Sequence, residues 1–196
     1  MVQAAASEVL NLKIVLLDVQ PPIWRRVLVP ANYTLAKLHG VIQIAFGWED
    51  CHLHSFRIHG EEFGEPDPEG WTDYKSERIA LAKLDLKPKF RYEYDFGDSW
   101  IHEIRVGRII IPKVPLTVPV CLEGERACPP EDCGGVWGYQ EMLDALRDPA
   151  DPRHDEFKEW LEDDWDAESF NLTEVNASLE ETFKPRKRAI IGKISK

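Results

Sequence analysis

Three cysteines close together in the chain, Cys121, Cys128 and Cys133, are separated by six and by four residues. Thiolates are soft ligands that favour zinc, and a loop stiffened by Pro129-Pro130 and Gly134-Gly135 can aim three of them at one point. A fourth ligand has to come from elsewhere: His54 completes the candidate set, with His52, His102 and Cys51 as the other nominees. The competing reading is that these are small reduced thiols packing the loop against a sheet.

Imidazoles and carboxylates supply a second kind of chemistry. In an extended Cys51-His52-Leu53-His54 segment, His52 and His54 share one face about 7 Å apart. His102 follows Trp100 two residues on. If these strands are neighbours, three imidazoles converge on a metal or on a substrate proton. Asp95, Asp98, Glu131 and Asp132 are the carboxylates that could serve such a site. Asp98 in Phe96-Gly-Asp-Ser99 is first a turn residue, and Glu131-Asp132 can instead accept amide hydrogen bonds from its own loop.

These residues need elements to hold them. Residues 10–20 are β-branched and aliphatic and stop at Pro21-Pro22; Ile23 to Val29 is a second extended run. Thr34 is an N-cap, and Leu35, Leu38, Val41, Ile42, Ala45 and Phe46 recur at helical spacing up to Gly47. Leu53 to His59 reads as a strand, and Gly60 to Gly70 as a polar loop. Residues 89–111 read as a hairpin, with Phe90, Tyr92, Tyr94 and Phe96 on one face and Trp100, His102, Ile104 and Val106 sharing a face after the Gly97-Asp98 turn. Residues 121–135 have no period and read as an ordered loop. Helical spacing returns at Tyr139–Leu146, Phe157–Leu161 and Thr173–Leu179, the last capped by Thr173 or Asn171. The expected fold is α+β: one domain over residues 8–182, with a mostly antiparallel sheet, one helix in the N-terminal half and a C-terminal group of acidic helices. A basic tail over 183–196 follows.

Charge excludes more than it identifies. The 196 residues carry a formal −11. The last fourteen hold six Lys and Arg and no acid, so residues 1–182 set 18 basic against 35 acidic groups, a body of −17. Such a body repels phosphate backbones, so a protein partner or a small ligand is favoured over nucleic acid. No apolar run is long enough to span a membrane. The start lacks a secretory pattern, which points to the cytoplasm and to reduced cysteines. Phosphate-binding glycine loops, the nucleophile elbow and the H-E-x-x-H zinc motif are all missing. Residues 34–58 do not form a helix-turn-helix, because the second segment is strand-like and sparsely charged.

Several stretches together resemble the plasmid pRiA4b ORF-3-like family, whose members are often labelled insertion-element passenger TnpR proteins. They are Pro22-Ile-Trp-Arg-Arg26, Leu38-His-Gly-Val-Ile-Gln-Ile-Ala-Phe-Gly-Trp48, His52-Leu-His54 and Tyr94-Asp-Phe-Gly-Asp-Ser-Trp-Ile-His-Glu-Ile104. Cys128-Pro-Pro-Glu-Asp-Cys-Gly-Gly135, Gly138-Tyr139, Trp160 and Phe170-Asn-Leu-Thr-Glu-Val-Asn176 extend the match to roughly residues 10–180. The resemblance implies a single α+β domain and no particular reaction. It carries a resolvase label, but neither an activated serine with flanking arginines nor a DNA-binding domain can be identified.

The shared motifs place aromatic, imidazole and carboxylate groups at element ends, the mixture of concave sites. The expected pocket comprises Trp48, His52, His54, Asp95, Asp98, Trp100, His102, Glu131 and Asp132, with the 128–135 loop folded over the hairpin. The function expected is that of a binding or accessory protein, linked to mobile elements. A metal-dependent or acid–base enzyme using the same pocket is the alternative, and a DNA-binding recombination accessory is disfavoured by the charge.

Overall fold

Alternation of apolar residues sets the first two strands. In β1 (Val9–Leu16), Leu12, Ile14 and Leu16 are buried, and in β2 (Trp24–Pro30) Val27 and Val29 are buried opposite them. The computed structural model describes residues 8–65, 72–161 and 165–185. Thr34 Oγ1 accepts from the Lys37 N–H at 3.2 Å and opens α1 (Leu35–Phe46), which Gly47 closes at φ 86°. Only glycine takes that left-handed turn without strain. The remaining elements are β3 (His54–Ile58), β4 (Glu61–Gly64), β5 (Lys75–Ser76), β6 (Lys89–Tyr94), β7 (Trp100–Val106), β8 (Val120–Glu125), α2 (Gly135–Arg147), α3 (His154–Trp160) and α4 (Leu172–Phe183).

The eight described strands form one mixed sheet in the order β5-β4-β3-β6-β7-β1-β2-β8. All neighbours are antiparallel except β4 and β5. Leu38, Val41, Ile42 and Phe46 of α1 are buried in one core with the apolar residues of β1, β2 and the β6–β7 hairpin.

The α+β expectation, a mostly antiparallel sheet with one helix and a group of acidic helices, is corrected to four helices and an eight-stranded mixed sheet. Two physical reasons account for this. The strands β4, β5 and β8 are short and polar: Glu61–Gly64 lies inside the stretch read as loop, and Val120–Glu125 overlaps the aperiodic cysteine segment. Backbone pairing, not apolar alternation, makes them strands. The helix α2 is also more than an acidic surface, since Tyr139, Met142, Leu143 and Ala145 are buried. The hairpin aromatic face ends one residue early: Asp95 takes φ 56°, so Phe96 leaves the strand line and stands 42% exposed. Most of the basic tail expectation, residues 186–196, lies outside the described residues.

Candidate functional site

The helix α1 carries two polar side chains, His39 and Gln43, one turn apart on its buried face. Buried polar groups must be hydrogen-bonded, and here the bonds close into a ring. The Asp50 carboxylate can only accept, so His39 Nε2 carries the proton and donates to Asp50 Oδ1 at 2.6 Å. Nδ1 is therefore the acceptor and takes the Tyr92 hydroxyl proton at 2.8 Å. The Gln43 amide donates to the Tyr92 oxygen at 3.0 Å, and its carbonyl accepts the Asp50 backbone N–H at 3.0 Å. Burial, then the neighbouring His54, lowers the His39 pKa, and burial keeps Tyr92 protonated. Both shifts agree with the proton placement.

His54 stacks on His39 with ring centroids 3.5 Å apart and planes 4° from parallel. Its Nε2 donates to Glu77 Oε2 at 2.8 Å, and both side chains are under a tenth exposed. With Nε2 so engaged, Nδ1 is the nitrogen left to accept when the ring carries a single proton. Above the stack lies a cleft of about 690 Å³. Its lining includes Asp50, Glu65 and Glu77 among the acids, with Leu53, Tyr74 and Phe96 as apolar wall, and no Lys or Arg lines it among the described residues.

A second cluster adjoins the first through His52. The loop expected to fold over the hairpin does so: Trp48 Nε1 donates to the Pro129 carbonyl at 3.0 Å, and the Gly134 N–H donates to Asp98 Oδ2 at 3.1 Å. Tyr94 hydroxyl donates to Glu131 Oε1 at 2.9 Å, where the Glu49 N–H also donates at 3.0 Å. Asp132 Oδ1 lies 3.3 Å from His52 Nε2, while Asp95 Oδ2 and Glu131 Oε2 both lie at 3.8 Å.

The expected pocket residues therefore separate. Trp48, His52 and Asp95 meet the loop, His52 and Asp95 at its Glu131 and Asp132, and Asp98 anchors its far end. His54 belongs to the stack, and it and His52 both line the cleft. Trp100 and His102 are fully buried and lie in the core. The His102 Nδ1–H donates to the Trp100 carbonyl at 3.0 Å, and Phe46 and Trp48 meet its ring edge-on. Burial drops its pKa to about 3, so it is a neutral packing residue at any ordinary pH.

Cys121 and Cys128 are buried and Cys133 is half-buried; burial raises all three thiol pKa values, Cys133 to about 12. Among the described residues, two triads bring metal-ligating atoms within 4.8 Å of one another, Cys51-His52-Glu131 and His52-Asp95-Asp132. Neither includes the three loop cysteines or His54.

The site also holds His39, Gln43, Asp50, Tyr92 and Glu77, which lie outside the pocket expected from the sequence. His39 and Gln43 could have been found, since two polar residues at i and i+4 interrupt an apolar helix face. Glu77 offers no such signal, because only the run after β5, whose Glu77 and Ile79 carbonyls accept the Ala36 and Leu35 N–H groups of α1, brings it to His54.

Residues 8–174 match the family model described as plasmid pRiA4b ORF-3-like protein. The chain is 42% identical over 181 residues to the uncharacterized protein y4hQ of Sinorhizobium fredii, a match covering 89% of this chain and 92% of that one. The crystal structure of a protein of unknown function from Methanosarcina mazei is similar with a TM-score of 0.76 and 38% identity, over 85% of this chain and 96% of that one. Among the described residues, no helix is long and apolar enough to cross a membrane.

Proposed function

The chain belongs to the plasmid pRiA4b ORF-3-like family, and from that premise we propose that it binds a small neutral or cationic molecule in the cleft over the His39–His54 stack. One observation carries this reading. A cavity of about 690 Å³ has a floor of two stacked imidazoles, each fixed by its own carboxylate, and among the described residues no cationic side chain in its wall. That volume falls within the range of small-molecule sites. The acids repel phosphates and carboxylates and suit an amine or an amide N–H, while Phe96 and Tyr74 offer π-faces to a cation. The exposed Leu53 and Phe96 give an apolar part of the ligand a surface to cover. We place this binding role in the cytoplasm, as an accessory to a mobile element, in keeping with the plasmid-derived description of the family.

The test is a binding screen in EDTA, read by amide chemical shifts, with primary amines and amides in one arm and organic phosphates in the other. Saturable shifts at cleft residues with the first arm only are expected, weakened at least about tenfold by Glu77→Gln and by the surface change Phe96→Ala. Equal binding of phosphates, or no binding in either arm, refutes the reading.

A second reading is acid–base catalysis on the bound molecule. The 2.8 Å His54–Glu77 pair is the arrangement in which a carboxylate orients an imidazole and leaves its other nitrogen to take a proton. Turnover of a cleft ligand, lost in Glu77→Gln at ligand concentrations that still saturate the variant, would select it over binding alone.

A further inference from the structure

Hydrogen bonds account for both ring nitrogens of His39 and for Nε2 of His54, but not for the polar atoms gathered at the 128–135 loop. His52 Nε2 and Glu131 Oε2 are both shielded from solvent without a hydrogen-bond partner. The Asp95 side chain is only 9% exposed; its Oδ1 accepts the Gly97 N–H at 2.9 Å, and its Oδ2 faces His52 without a hydrogen bond. The 3.3 and 3.8 Å separations from His52 Nε2 to Asp132 and Asp95 exceed charge-assisted hydrogen bonds, which run ~2.7–2.9 Å. They match the spacing of neighbouring donors around one ion: ligands ~2.1 Å from a tetrahedral cation stand ~3.4 Å apart.

Charge points the same way. Asp95, Glu131 and Asp132 crowd one imidazole, and among the described residues no Lys or Arg pairs with any of them. Three carboxylates so placed repel one another unless a cation lies between them.

We propose that His52, Asp95 and Asp132 bind one divalent transition-metal cation. One nitrogen and two carboxylate oxygens suit zinc or manganese, whereas magnesium and calcium prefer oxygen alone. Two carboxylates neutralise the dication. Glu131 Oε2, 3.8 Å from His52 Nε2, stands at the margin as a further oxygen. The Cys51 thiol, 3.8 Å from the Tyr94 hydroxyl, groups with His52 and Glu131 rather than with Asp95 and Asp132, and it is not assigned to the donor set. Asp132, 75% exposed, leaves a side of the cation open to water and to an entering ligand. Because His52 also lines the cleft, the cation would stand in the wall of the ligand site, but its binding does not require that ligand.

The full-length chain, purified without an affinity tag and stripped with EDTA, is titrated with zinc by calorimetry. One equivalent is expected, with Kd raised at least about tenfold by His52→Gln and by Asp132→Asn. Asp132 is exposed, so the second variant should keep the metal-free melting temperature and separate loss of a ligand from loss of the fold. Cobalt should bind with the same stoichiometry and no thiolate-to-cobalt charge-transfer band. No zinc binding at millimolar metal, undiminished binding in both variants, or a thiolate band each overturns the proposal. The last would place the ion on Cys51 or on the cysteine loop. The amine screen in EDTA is read without metal, so either proposal can fail alone.

Discussion

Acidification should destabilise this protein through one histidine more than through any exposed group. His102 is fully buried among Phe46, Trp48 and Tyr92, and burial lowers its pKa from 6.5 to about 3. In the unfolded chain the same ring titrates near 6.5. Between those values the unfolded state binds a proton that the folded state refuses, so the contribution is present above pH 6.5 and is lost as the pH falls toward 3. The slope is about 1.4 kcal/mol per pH unit, which amounts to about 2 kcal/mol at pH 5 relative to pH 7.5. Replacing the ring by an apolar side chain of similar size, His102→Met, removes that proton from the balance. Urea unfolding of both proteins at half-unit steps from pH 7.5 to 4.5 gives the comparison. The stability difference between wild type and variant should shift by about 2 kcal/mol in favour of the variant by pH 5, whatever its value at neutrality. His39, also lowered by burial, titrates alike in both proteins and cancels. A pH-independent difference would refute the assignment of His102 as a neutral core residue.

Two further outcomes follow from the same packing. A Cβ at Gly138 would lie 1.9 Å from the Cys133 carbonyl oxygen, so Gly138→Ala must displace the loop backbone. It should cost roughly 3 kcal/mol or more in urea unfolding, and a cost under about 0.5 kcal/mol would refute this close approach. Thr34→Ala removes the cap that starts α1 and should cost about 1 kcal/mol; an unchanged unfolding midpoint would mean that the Thr34–Lys37 bond contributes nothing.

What could be seen in the sequence was whatever repeats or punctuates. The apolar spacing of α1 and its Thr34 and Gly47 ends lie where the pattern placed them, and β6 and β7 pair Tyr94 with Trp100 across the expected turn. Element ends also drew attention to His52, Asp95, Glu131 and Asp132. The short strands escaped notice because a polar strand of two to six residues is defined by its neighbour's backbone and has no pattern of its own. The stack escaped for a related reason. His39 looked like one polar residue on an apolar helix, and Glu77 like one acid in a polar segment, until the sheet brought β3 between them. His102 shows the opposite case: a histidine in a suggestive motif was a core residue, because alternation fixes which face a side chain occupies but not what lies above it.

The outermost strand beside β2 has a further consequence. At Cys121 of β8, the backbone N–H donates to Asn176 Oδ1 at 2.8 Å and the carbonyl accepts from Asn176 Nδ2 at 2.9 Å, so a side chain of α4 makes the pair of bonds another strand would make. A sheet grows only where both groups of a residue are free at its rim. By occupying them, α4 acts as a terminator at this rim: the docking point at Cys121 is closed to an incoming chain for as long as one amide stays in place.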